Sequence, residues 1–476
     1  MLRLHDTASG RTEELETRAP GRAGLYICGS TVYGPPHIGH GRFSLVYDIL
    51  RRFLEYRGMA VDHVSNVTDI DDKIINKANE EHRSSEDVAA QYEEEWWGAM
   101  SSLGCLLPTQ IPHATAFIEQ MVELISALAG RGSAYETSDG VYFAVSAVAD
   151  YGLLAHQSLD SLRSGARVEV NEEKRSPLDF ALWKKAKPGE PWWASPWGPG
   201  RPGWHTECVV MSLALLGDGF DLHGGGQDLI FPHHENERAQ SVAVGRPFAR
   251  RWMHNGMVEA RGGEKMSKSL GNVLLLSDLF EQTDPRAYRL LVLQSHYRAP
   301  IEVTTTTLGD AESALVRLDM LSGRLAEAVA AAEPSGEAAA GGSGSAGSGS
   351  GGSGAGGSGA GAEVRRTFVE RMQDDLDTPG ATAGLFDAIR KANVAFDARE
   401  SSRGAELAQA VLECFGAVGL EAKRAAEIPE SVLELGRRRD RARAGRDFSA
   451  ADSLRAEIVG LGYVVEDTPG GTRIRR

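Results

Sequence analysis

Long apolar runs are missing from this 476-residue chain. None approaches the roughly 20 residues that span a bilayer, and the N-terminal text MLRLHDTASG has no apolar leader core. No membrane partner is expected. Cysteine is scarce. Residues 28, 105, 208 and 414 are too few and too scattered for a disulfide framework, which points to a reducing cytoplasm. Excess positive charge is missing too, and a net charge of −15 argues against indiscriminate nucleic-acid binding. One basic patch stands out: RRRDRARAGR, 437–446, carries six arginines and one aspartate.

What is present describes a soluble globular protein, with 42% hydrophobic and 25% charged residues. The length exceeds one ordinary core and implies two to four domains. Residues 341–362 are only Gly, Ser and Ala, with nothing to bury, which predicts a flexible tether. About 22 such residues reach roughly 25 Å. The alanine-rich, helix-periodic text on either side, about 306–332 and 364–398, predicts two helices joined by an inert loop.

Before the tether, strand and helix patterns alternate. AGLYICGS (23–30) predicts a buried strand, GHGRFSLVYDILRRFLEYRG (39–58) an amphipathic helix and MAVDHVSNV (59–67) a second strand. That is a βαβ unit and implies a parallel sheet. The Pro/Trp-rich stretch from 185 to 208 interrupts regular structure, which resumes at FDLHGGGQDLIFPHHENERAQSVAVG (220–245).

Three short stretches carry chemistry. In YGPPHIGHGR, 33–42, His37 and His40 stand where a helix N-terminus points at bound anions. There they could stabilise a phosphate during displacement or be ordinary N-terminal histidines. In EKMSKSLGN, 264–272, Lys265 and Lys268 suit a triphosphate, or lie on a solvated loop. In FPHHENE, 231–237, His233 and Glu237 share one helical face at i and i+4, while His234 points elsewhere. That face supplies half of a tetrahedral metal site, and the cysteines are the place to seek the rest.

H-I-G-H after the first strand, followed by K-M-S-K-S, is the double signature of class I aminoacyl-tRNA synthetases. With YICGSTVYGPPHIGHGR, NVTDIDDKIINKA, GWHTECVVMS, HGGGQDLIFPHHENE and KMSKSLGN in register, the chain resembles cysteinyl-tRNA synthetases. The resemblance runs from about residue 1 to EDTPGGTRIRR and fails only at the tether.

The resemblance implies an α/β fold with a Rossmann-like parallel-sheet catalytic domain in two halves, 1–114 and 201–275. A connective insertion, 115–200, splits it. An α-helical domain, 276–424, and a small C-terminal anticodon-binding module, 425–476, follow. It places zinc, one per chain, on Cys28, Cys208, His233 and Glu237, either binding the substrate thiol or serving structure. His234 and Glu235 would pack behind the metal. Cys105 and Cys414 would be buried structural thiols in helices.

His37, His40, Lys265, Lys268 and Asp228 would handle ATP, which comes with Mg²⁺. Gly29, Thr31, Thr68 and Trp204 would line the pocket for L-cysteine. For Asp69, Asp71 and Asp72, helix capping and salt bridging compete with catalysis. Arg443, Asp452 and Asp467 are candidate contacts to tRNA(Cys), each against an ordinary salt bridge. A cytoplasmic monomer is expected. A ligase joining cysteine to an aminosugar amine is the nearest alternative, but would need no anticodon module.

Overall fold

The structure, a computed structural model, describes residues 1–158, 161, 173–260, 264–265, 274–332, 359–423, 429–468 and 471–475. Four parallel strands form the central sheet: β1 (Arg22–Thr31), β2 (Ala60–Thr68), β3 (Leu222–Gly226) and β4 (Arg251–Asn255). Their order across the sheet is β4-β3-β1-β2. Helix α1 (Ile38–Tyr56) makes the crossover from β1 to β2. Its leucines and phenylalanines recur on one face, so Leu45, Ile49, Leu50 and Phe53 are buried.

The chain continues to one side of β1 through α1 and β2, and to the other side at β3. This reversal of strand order leaves a crevice at the carboxyl ends of β1 and β3, where such sheets bind ligands. The β1 register breaks between Ile27 and Ser30. The irregularity brings Gly29 against Asn66, where a Cβ would stand 1.6 Å from the Asn66 carbonyl oxygen. Only glycine allows that approach.

Between β2 and β3, a helix (Ile118–Gly130) packs with an antiparallel sheet of Ala134–Glu136, Gly140–Phe143, Phe180–Lys185 and Gly200–Pro202. The Pro/Trp-rich text ends earlier than its composition suggests. Helix α2 (Trp204–Leu215) already includes Cys208, because Gly203 caps a segment buried on all sides. After β4 come the short strands β5 (Val258–Ala260) and β6 (Glu264–Lys265). Helices α3 (Leu276–Gln282) and α4 (Pro285–Leu293) precede strand β7 (Ile301–Glu302). Strand β5 pairs with β6 on one edge and β7 on the other.

Helix α5 (Thr305–Ala332) matches the first periodic segment. The second is not one helix but two, α6 (Ala360–Gln373) and α7 (Thr378–Asp397), and α6 takes in residues 360–362, which the sequence assigned to the tether. Asp375 and Leu376 turn left-handed, at φ 55° and 51°. The Asp375 carboxylate holds the break by accepting from His5 N at 2.8 Å, Tyr297 Oη at 2.7 Å and Arg298 Nη2 at 2.6 Å. The expectation for Cys105 also fails in part: it follows the helix Ser85–Ser102, in a loop, and is only half-buried. Cys414 is buried in α8 (Ser401–Gly416), as expected.

By internal packing the chain forms two compact units. One comprises Met1–Ser313, Glu363–Asp387 and Glu413–Leu420; the other, Ala314–Ala362, Ala388–Leu412 and Glu421–Arg476. No described helix is long and apolar enough to cross a membrane.

Candidate active site and metal centre

His37 is the N-cap of α1 and His40 its third helical residue. Each ring nitrogen Nδ1 accepts from the other residue's backbone N–H, at 3.3 and 3.4 Å. This is a capping box made of two imidazoles, with the rings stacked at 3.6 Å. Both histidines are therefore fixed at the positive end of a 19-residue helix.

Across the crevice, β1, α2 and the turn before helix α9 (Glu235–Ala243) converge. Cys28 Sγ lies 3.6 Å from Cys208 Sγ and 3.5 Å from Glu237 Oε1, and His233 Nε2 lies 3.0 Å from Glu237 Oε1. The ligand atoms of Cys28, Cys208, His233 and Glu237 fall within 4.8 Å of one another, all buried. The i, i+4 pairing survives although residues 230–234 form a wider turn than an α-helix.

A second group, Cys28, His223, His234 and Glu237, meets the same distance limit. Here, however, Glu237 Oε2 already contacts His223 Nε2 at 2.8 Å, and His234 Nδ1 bonds His254 Nε2 at 2.8 Å. Burial pushes both thiols up and the His233 and His234 imidazoles down, which favours their neutral forms.

Trp204 stacks on His233 at 3.9 Å between ring centroids. Thr68, buried at the end of β2, donates to Glu207 Oε2 at 2.9 Å and accepts from Asn66 Nδ2 at 3.3 Å. Asn66 Oδ1 in turn accepts from Gly29 N at 2.9 Å. Thr31 ends β1, and exposed Asp228 follows β3. Burial raises the Glu207 carboxyl well above its ordinary range, an effect Thr68 offsets in part.

Sequence reading passed over Asn66 and Glu207. Asn66 shares a strand face with Thr68 at i+2, and Glu207 directly precedes Cys208, so both signals were available. The aspartates resolve toward structure. Asp71 caps a helix at Lys73 N, Asp72 pairs with Lys184 and Arg201, and Asp69 holds Thr115. Lys265 lies in β6, opposite Glu259, and Lys268 lies outside the described residues.

A family model described as the class I (C) tRNA synthetase catalytic domain matches residues 14–313. The chain is 42% identical to a cysteine--tRNA ligase of Syntrophotalea carbinolica, over 99% of this chain and 98% of that one. It is 41% identical to a cysteine--tRNA ligase of Geobacillus thermodenitrificans, over 100% and 99%. The chain belongs to the cysteine--tRNA ligase family.

Within that family, residues 367–420 match the DALR domain and 425–475 the cysteinyl-tRNA ligase anticodon-binding domain. The fold resembles Mycobacterium tuberculosis methionyl-tRNA synthetase bound by methionyl-adenylate, at TM-score 0.61 and 16% identity, covering 90% of this chain and 96% of that one.

The C-terminal match contains helices α10 (Glu430–Ala444) and α11 (Phe448–Gly460), the hairpin Val464–Thr468 and Gly471–Arg475, and a small core of Val432, Leu435, Ile458, Val465 and Ile474. Its arginine cluster is largely occupied internally. Arg443 bonds Asp467, Arg439 bonds Asp467 and Thr472, and Arg437 and Arg441 bond Glu434. Asp452 is exposed on α11.

Proposed function

We propose that this chain attaches L-cysteine to tRNA(Cys), with ATP, in two steps. The cysteine carboxylate attacks the α-phosphate, giving cysteinyl-adenylate and pyrophosphate. The acyl group then passes to the terminal adenosine of tRNA(Cys). The observation that carries this reading is the buried Cys28, Cys208, His233 and Glu237 cluster in the same crevice unit as the His37–His40 box, in a chain about 40% identical to cysteine--tRNA ligases.

The donor set fits zinc. Two thiolates on a tetrahedral zinc with bonds of about 2.3 Å stand about 3.8 Å apart, and the sulfurs here are 3.6 Å apart. Bound there, zinc would act as a soft Lewis acid that favours a substrate thiolate over a hydroxyl. The chain's own groups do the rest. Trp204 would wall the small side-chain pocket, which ends at the His233 ring. Thr68, whose proton goes to Glu207, would offer its lone pairs to the substrate ammonium, and Gly29 would give the backbone room beside it.

His37 and His40 would stabilise charge on the α-phosphate. Lys265 and Lys268 would hold the leaving pyrophosphate, with Mg²⁺ accompanying ATP, and Asp228 would accept from the ribose hydroxyls. No protein nucleophile is required, because positioning and electrostatics suffice. The match of 425–475 to an anticodon-binding domain favours tRNA over an aminosugar as acyl acceptor.

The test is ATP–pyrophosphate exchange with each of the twenty amino acids, followed by charging of total tRNA. Cysteine alone should support exchange, and tRNA(Cys) alone should be charged. Exchange with another amino acid, or none with cysteine, would overturn the reading.

A further inference from the structure

Arg42 ends the G-H-G-R run of α1 and is 1% exposed. No carboxylate bonds it among the described residues; its partners are backbone carbonyls. Nη1 donates to Met257 O at 2.7 Å. Nη2 donates to Tyr297 O at 3.2 Å, to His296 O at 3.4 Å and to Ala299 O. Met257 immediately precedes β5, and Ala299 stands two residues before β7, which pairs with β5. One guanidinium thus ties the helix that carries His37 and His40 to the root of the β5–β6–β7 sheet.

The junction is tight. A Cβ on Gly256 would meet Ala299 O at 2.5 Å. The far side of the same segment is tied to the same helix start by backbone alone: Ile38 N donates to Leu274 O at 3.0 Å, and Leu276 N donates to Pro36 O at 3.0 Å. Both ends of 258–276 are therefore anchored at the first turns of α1, one of them through a single side chain. A buried charge is costly to keep. A rigid fork of five donors can serve several carbonyls at once, which neither an apolar residue nor the three-donor ammonium of lysine reproduces.

We infer that Arg42 is a positioning residue for adenylate formation: it fixes how far β5, and with it the Lys265 backbone paired to Glu259, stands from His37 and His40. It touches neither the metal ligands nor the Thr68 network. Its loss should therefore misplace the phosphate-handling side of the crevice and leave the amino-acid side intact. The inference rests on the adenylation reading above.

The experiment compares full-length Arg42→Met and Arg42→Lys with the parent. It measures turnover and cysteine KM in ATP–pyrophosphate exchange, together with zinc per chain. Misplacement of catalytic groups by about 1 Å costs on the order of 100-fold. Arg42→Met should therefore lose about 100-fold in turnover and Arg42→Lys about 10-fold. Cysteine KM should stay within about 2-fold of the parent in both, with zinc retained.

If Arg42→Met does not yield folded protein, Arg42→Lys decides by the same split between turnover and KM. Turnover near the parent's value would overturn the inference. So would an equal loss of turnover and cysteine affinity, since that marks a merely structural arginine. A parent that shows no cysteine-dependent exchange contradicts the function itself, and this inference falls with it.

Discussion

The metal-centre cluster and the C-terminal module both concentrate ionisable side chains, and they use them in opposite ways. In the first, thiols, imidazoles and a carboxyl are buried within reach of one another. Glu237 meets two histidines, and Cys28 and Cys208 face each other. In the second, arginines meet carboxylates of the same module, mostly at the surface. Burial of uncompensated polar groups requires a partner, and a metal ion supplies one. Exposed ion pairs are individually weak, and solvent or nucleic acid can replace either member. The first region is therefore a cluster that could hold a metal ion, and the second points only to a class of partner.

The largest test of this contrast is at the metal ligands. Cys208→Ser should lower zinc affinity by about 100-fold or more, since even groups behind a ligand cost 10–100-fold. Preference for cysteine over serine should collapse with it, from the about 10⁴–10⁵-fold open to a site built around one substrate group. Cys414→Ser should change neither, as metal analysis and exchange assays with both amino acids would show. Next in size, Lys268→Ala should slow adenylate formation by about 10²–10³-fold, as loss of a transition-state electrostatic donor typically does. Rapid-quench measurement of adenylate should show that loss while cysteine binding holds.

The same contrast decides what could be read from sequence. His233 and Glu237 were legible as a pair because helical spacing is local, and β1, α1 and β2 because their periodicities are strong. The break after Gln373 was not, because it depends on Asp375 meeting His5, Tyr297 and Arg298, residues remote in sequence. The start of α2 at Trp204 was hidden by flanking prolines.

Arg443 and Asp467, each a candidate RNA contact by sequence, bond each other. Composition located the basic cluster, but only tertiary contacts show which arginines are engaged. Arg438 and Arg446 are exposed and, among the described residues, their side chains have no ion pair or hydrogen bond.

That difference gives a smaller, sharper test. Arg438→Ala and Arg446→Ala should each weaken tRNA binding and reduce the salt slope by about 1, as expected for a lost phosphate contact. Arg443→Ala should act less on the slope, because Asp467 already neutralises it. Titrations of tRNA at several salt concentrations would decide, and a larger effect from Arg443 would mean its pair with Asp467 opens for RNA.

The smallest effect is expected at the tether. Replacing 341–358, which stops short of α6, with a short turn should leave charging within a few-fold of the parent, since loop closure changes by about 0.6 kcal/mol per doubling of length. A selective fall in tRNA charging would give the tether a contact of its own.

If the buried cluster takes the substrate's sulfur, as proposed, a metal whose spectrum reports thiolate binding will show it. Cobalt(II) in place of zinc makes this visible, because each thiolate on cobalt adds charge-transfer absorption. The absorption of the cobalt-loaded enzyme should grow and shift when cysteine is added, and should not change with serine. A spectrum that cysteine leaves untouched would make the metal purely structural and exclude thiol recognition by it.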